Sequence, residues 1–200
     1  MGRHRQQNQT QKKTSAGSVR IISGLWRGRK LAVHHADGLR PTSDRVKETL
    51  FNWLAQDIAQ AKCLDVFAGS GGLGFEAASR QADMVTMLEY NPEAYRQLQS
   101  NISSLNTTNL TAVSCDALQY LAKPGTPYDV VFLDPPFHKG LLAQVITLLE
   151  SNHWLAENAF IYIETEKALQ LEGIPEHWSL HREKTTSQVS YRLFIRENKE

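Results

Sequence analysis

The sequence predicts an α/β domain built on a seven-stranded, mostly parallel sheet with an antiparallel pair at its end and a small β-hairpin extension in front. Three observations predict this. Short apolar runs alternate with helix-patterned segments through residues 63–164. A glycine-rich turn, Gly69-Ser70-Gly71-Gly72-Leu73-Gly74, joins the first of these runs to the helix behind it. Two strand-like runs with no helix between them, 178–181 and 191–195, close the chain. With 200 residues, 41% apolar and 22% charged, the composition is that of a globular chain, neither disordered nor fibrous.

The elements follow in order. Residues 1–17 are polar and basic and read as a disordered tail, either merely solvated or an arm for a polyanion. Residues 18–40 read as a basic β-hairpin: Val19-Arg20-Ile21-Ile22 forms one strand, Ser23-Gly24 breaks it, and Leu25 to Val33 mixes aromatic and basic residues. The spacing leaves Trp26 either stacking on a ligand or filling the hairpin's own core. Pro41 holds Arg40 extended in a linker, and the remaining domain spans 41–200. A helix starts near Ser43 or Asp44, with Val46, Leu50, Trp53 and Leu54 on one face. Strands are then expected at 63–67, 84–88, 111–113, 129–133 and 160–164, with helices at 74–80, 92–105, 117–122 and 141–150.

Charge is distributed unevenly. Residues 1–50 carry eleven Lys/Arg and three Asp/Glu, whereas residues 51–200 carry eleven and eighteen. The net charge of +1 therefore divides into +8 and −7. Solubility requires only mixed charges, so this segregation points to a polyanion-binding end on a differently charged body. Arg20, Arg27, Arg29, Lys30 and Arg40 are the cations expected to carry it. No apolar run approaches the ~20 residues that span a bilayer, and no secretory pattern is read at Met1-Gly2-Arg3, so a cytoplasmic location is expected. Cys63 and Cys115 read as reduced, buried thiols, and no Cys/His cluster has metal spacing.

Two loops carry the chemistry. Gly69, Gly71 and Gly74 match G-x-G-x-x-G, a turn that admits a ligand to the backbone at a helix N-terminus. Alone, this pattern equally suggests a dinucleotide site. Glu89 stands twenty-four residues after Asp65, where a carboxylate takes both ribose hydroxyls of an adenosine-type ligand. Tyr90 either packs on the adenine or is a surface aromatic, and Asp116 either reads the adenine amine or caps the following helix. The second loop, Asp134-Pro135-Pro136-Phe137, follows a buried strand and fixes an acid, a stiff turn and an aromatic at the ligand end of the sheet.

Together, Asp65-Val66-Phe67-Ala68-Gly69-Ser70-Gly71, Glu89 and Asp134-Pro135-Pro136-Phe137 resemble a Rossmann-like class I S-adenosylmethionine-dependent methyltransferase acting on exocyclic amines of bases. The strings Arg20 to Leu31 and Arg40 to Asn52 are similar to the bacterial 16S ribosomal RNA guanine-N2 methyltransferase family, and the similarity covers about residues 18–196. Gly72 departs from that family, which often carries Ala there. The resemblance implies S-adenosylmethionine as cofactor, S-adenosylhomocysteine as product, and no metal. It implies cofactor contacts by Asp65, Phe67, Ala68, Gly69, Ser70, Gly71, Gly74, Glu89, Tyr90, Asp116 and Ala117, with Thr42 and Arg45 at the methionine carboxylate unless Arg45 touches phosphate. Asp134 and the Pro135 carbonyl would hold the target amine, Pro136 would stiffen the turn, and Phe137 would stack on a flipped base. The implied partner is 16S rRNA in the small subunit or an assembly intermediate, with ribosomal proteins completing the site around a monomeric enzyme. The competing readings are a DNA adenine or cytosine amino-methyltransferase, an NAD(P)-binding protein, and a non-catalytic RNA-binding module.

Overall fold

In the computed structural model, residues 17–33, 42–137 and 140–197 are described. The tail read at 1–17 falls almost wholly outside them, as do Arg40 and the linker at Pro41. Ser18–Arg20 (β1) pairs antiparallel with Lys30–Ala32 (β2), Val19 facing Leu31. The alternating pattern sends Val19 and Leu31 inward and leaves Arg20 and Lys30 exposed. Residues 25–28 form the turn between the two strands, closed by Arg27 N–H to the Gly24 carbonyl and Arg29 N–H to that of Trp26.

Asp44–Trp53 (α1) is capped by the Ser43 hydroxyl, which accepts from Val46 N–H at 3.3 Å. Strands and helices then alternate: Lys62–Asp65 (β3), Gly72–Ser79 (α2), Met84–Glu89 (β4), Pro92–Leu105 (α3), Leu110–Ser114 (β5), Ala117–Leu121 (α4), Tyr128–Leu133 (β6), Leu142–Ser151 (α5) and Leu155–Glu166 (β7). Trp178–Thr185 (β8) and Val189–Arg196 (β9) form the terminal hairpin. Asn91 caps α3 by accepting from Glu93 and Ala94 N–H, with Pro92 in its first turn, where a missing donor costs nothing.

The sheet order is β5-β4-β3-β6-β7-β9-β8, parallel from β5 to β7 and antiparallel at β9. This is the expected seven-stranded mixed sheet. Strands buried on both faces divide their side chains between two cores. Along β6, Val130 and Phe132 join the core beneath α1, α2 and α3, while Val131 and Leu133 join the one beneath α4 and α5. The chain runs from β3 to β4 and β5 on one side, then returns to lay β6 on the other. That reversal opens a crevice beyond the carboxyl ends of β3 and β6.

Most boundaries shift by a residue or two, and two strands depart further from the sequence reading. β7 begins at Leu155 instead of 160, because its early part, Leu155 to Asn158, pairs irregularly with β6 and carries no apolar run. β8 extends to Thr185 through Arg182, Glu183 and Lys184, charged residues suited to an exposed edge but invisible to an apolar pattern.

The hairpin shares the main core. Val19, Ile21, Leu31 and Val33 pack with α1, α2 and α3, and Trp26 lies against the same cluster. The fully buried Glu76 of α2 accepts from Ile22 N–H (2.7 Å) and Ser23 N–H (3.0 Å). Lys47 of α1, also fully buried, donates to the Arg20 carbonyl, and Asn101 of α3 donates to that of Ala32. Each partner meets a backbone group that the short hairpin leaves unpaired. Among the described residues, no helix is long and apolar enough to cross a membrane.

Candidate active site

The glycine loop is shaped from beneath. Gly71 sits at φ +78°, where a side chain is strained, and a Cβ there would come within 2.4 Å of the Phe75 ring. Gly74 lets α2 lie on β4, since a Cβ would meet Met87 Sδ at 2.5 Å. A methyl at Gly72 would lie 3.4 Å from Val19 Cγ2, an ordinary contact, so the Ala common in the resembling family would fit. Asp65 is buried at the end of β3 and accepts Gly74 N–H at 3.2 Å. Burial raises its pKa to about 7, against the opposing pull of that N–H. Glu89, at the end of β4, accepts Gly69 N–H at 2.8 Å and Asn91 N–H at 2.7 Å. One carboxylate thereby fixes the glycine loop to the neighbouring strand. Burial raises its pKa, and the backbone donors hold the rise in check.

Across the crevice, Asp134 follows β6 and receives the Thr42 hydroxyl on Oδ2 at 3.2 Å. Its pKa stands well above the ordinary carboxylate range, through burial first and then the charges of Glu164 and Asp65. Glu164, on β7, is buried and accepts Tyr162 O–H at 2.8 Å. Tyr90 and Phe137 are exposed aromatics at the rim. Asp116 does cap α4, accepting Gln119 N–H at 3.0 Å, and it also faces the crevice.

The crevice has a volume of about 720 Å³. It gathers Thr42, Asp65, Phe67, Ala68, Gly69, Ser70, Glu89, Tyr90, Asp116, Ala117 and the turn Asp134-Pro135-Pro136-Phe137. Gly71 and Gly74 lie behind that wall, seating the loop and the helix. Arg45 is not brought to it: the residue is on the exposed side of α1, whose Val46 faces inward. Thr42, expected at a ligand carboxylate, directs its hydroxyl to Asp134. Arg20, Arg27, Arg29 and Lys30 are exposed on the hairpin. Cys115 borders the crevice, and Cys63 is buried elsewhere. Among the described residues, no His/Cys/Asp/Glu cluster could hold a metal.

The sequence reading did not anticipate Glu164 or the turn Thr186-Ser187-Gln188-Val189, both of which line the crevice. Glu164 did carry a signal: it ends the apolar run 160–163 as Asp134 ends 130–133. The turn at 186–189 carries none, because it reaches the site only through the pairing of β9 with β7.

The family described as conserved hypothetical protein 95 matches residues 19–195. Ribosomal RNA small subunit methyltransferase D of Escherichia coli (strain K12) is 53% identical over 184 residues, covering 92% of this chain and 93% of that protein. The protein of the same name from Haemophilus influenzae is 56% identical over 182 residues, covering 89% and 94%. A solved Escherichia coli structure superposes with a TM-score of 0.86 at 51% identity, over 90% of this chain and 99% of that one.

Proposed function

The chain belongs to the family described as conserved hypothetical protein 95, and from that premise and its crevice we propose that it methylates the N2 amine of a guanine in 16S rRNA, using S-adenosylmethionine. The crevice suits that cofactor by its donor set. Glu89 offers two carboxylate oxygens, each accepting one backbone N–H and each with capacity for a ribose hydroxyl. Gly69 and Ser70 would bring backbone close to the ligand, Tyr90 and Leu118 would border its adenine, and Asp116 would accept from the exocyclic amine; all five line the crevice. The carboxylates of Asp65 and Asp134 favour a cationic ligand between them. When bound, S-adenosylmethionine supplies an electrophilic methyl group on a sulfonium.

The amine of guanine is a poor nucleophile, since its lone pair is delocalised into the ring. Asp134 accepts one of its N–H groups and the Pro135 carbonyl the other, which aims the nitrogen lone pair and lets the nitrogen become tetrahedral. The two prolines keep the turn from relaxing away. Phe137 stacks on the extruded base, a contact worth roughly 1–3 kcal/mol. Position and electrostatic complementarity supply the rate. Substrate RNA lies over Arg20, Arg27, Arg29 and Lys30, where phosphate contacts give affinity and not base choice. Ribosomal proteins complete the docking surface, the enzyme acts as a monomer, and it works in the cytoplasm, where small subunits assemble.

The observation that carries this reading is the meeting of the Asp134-Pro135-Pro136-Phe137 turn and the Glu89-tethered glycine loop in one crevice. Transfer of tritiated methyl to small-subunit particles, naked 16S rRNA and DNA tests it. Label is expected on guanine N2 in the RNA arms, and label in DNA alone sinks it. Asp134→Ala is expected to abolish transfer while S-adenosylmethionine affinity stays within roughly tenfold, since the lost contacts belong to the transition state.

A further inference from the structure

We propose that Glu164 selects the target base: its carboxylate accepts the N1–H of guanine beside Asp134, which accepts the adjacent amine. The inference rests on the guanine-N2 reading above and assigns that site its specificity.

Parallel pairing sets the two acids side by side. Leu133 of β6 is in register with Ile163 of β7, so Asp134 and Glu164 follow at the same edge of the sheet. Both line the crevice, and a protein hydroxyl orients each: Thr42 donates to Asp134 at 3.2 Å and Tyr162 to Glu164 at 2.8 Å. Tyr162 is itself fully buried among Phe132 and Tyr191, so it holds Glu164 from a rigid base. Glu164 is only 6% exposed, yet it faces a ligand cavity. Two acids held together at one crevice wall favour a ligand that brings a donor to each. The rise of the Asp134 pKa through the Glu164 charge reports the same crowding.

Only one base edge answers two neighbouring acceptors. Guanine presents N1–H next to the 2-amine. Adenine presents N1, and cytosine N3, as a bare acceptor next to its amine. Either would set a lone pair against the lone pairs of the Glu164 carboxylate. Asp134 alone would accept from any exocyclic amine. The second carboxylate makes the site particular to guanine.

The test replaces the target guanine, once mapped by mass spectrometry, with 2-aminopurine in reconstituted small-subunit particles. That base keeps the 2-amine and presents N1 as an acceptor. Wild-type enzyme is expected to prefer guanine by about ten-thousandfold in kcat/KM, in the range seen where a site's polar group loses its partner. Glu164→Gln, whose amide can donate to N1, is expected to narrow the preference to within about tenfold. Glu164→Asp retains the carboxylate and is expected to keep the preference while losing rate. S-adenosylmethionine affinity is measured alongside and is expected to change equally for particles carrying either base, so it cancels in the preference. A structural role would slow both bases alike and leave the ratio fixed, which overturns the proposal. So does a wild-type enzyme that accepts 2-aminopurine as readily as guanine, whatever the variants do. Wild-type label found off guanine N2 in the unsubstituted particle marks instead the failure of the underlying reading, and the assignment of Glu164 falls with it.

Discussion

Thr42 bears on the charge state of Asp134, the acid proposed to hold the target amine. A carboxyl accepts an amine N–H most strongly when ionised, and three influences press Asp134 toward its neutral form: burial, then Glu164, then Asp65. The Thr42 hydroxyl opposes them by donating to the ionised group. Since the folded pKa is raised, Asp134 loses its proton only well above the usual carboxylate range, and activity should climb with pH through that limb. Thr42→Val keeps the shape of the side chain and removes the donor that favours the charge. The acid limb of the kcat/KM profile should therefore move to higher pH, and Thr42→Ser should return it. A limb that stays in place in Thr42→Val would show that the titrating group is not Asp134.

The hairpin and α2 form one unit through Glu76. Its carboxylate takes two backbone N–H groups from residues 22 and 23 and the Arg80 guanidinium at 2.8 Å, in a position with no solvent exposure. Glu76→Ala leaves those donors unmet in the core, so a loss of about 3 kcal/mol or more in urea unfolding is expected. Amide exchange should quicken in β1 and β2 before it does in the central sheet. A midpoint that moves by under about 0.5 kcal/mol would mean that water replaces the acid without cost. Nothing local in the sequence marks Glu76, because an acid four residues before Arg80 in a helix reads as an ordinary surface pair. The central strands were legible for the opposite reason: Val130-Val131-Phe132-Leu133 must be buried on both faces wherever it lies. Both crevice loops were legible as well, since Gly71 and the paired prolines act through their own backbone geometry. Glu164, the turn at 186–189 and the true start of β7 depend on partners distant in the chain, and local pattern does not specify those partners.

Across the whole molecule, the split of +8 and −7 between residues 1–50 and 51–200 acquires a geometry. β1 runs against the glycine loop, with Val19 beside Gly72, so the exposed cations of the hairpin are held on the same body as the crevice and are not tethered loosely to it. On the proposed docking, RNA over these cations would be positioned as well as attracted, while residues 51–200, with a net charge of −7, would add no attraction for phosphate. Arg27 and Arg29 isolate this effect. Their side chains are exposed, and what they give the fold is backbone: Arg27 N–H bonds the Gly24 carbonyl, and the Arg29 carbonyl accepts Ile21 N–H. Alanine preserves both bonds, so folding and S-adenosylmethionine affinity should not change. Removing two phosphate contacts should lower the slope of log K against log salt by about 1.4 to 1.8. Affinity should fall most at low salt, where counterion release contributes most, and the methylated position should stay the same because phosphate contacts read no sequence. Filter binding of 16S rRNA fragments between about 50 and 200 mM salt measures the slope. A double variant that binds more weakly with its slope intact would place those arginines on bases or protein, and the docking face would have to be sought elsewhere on the molecule.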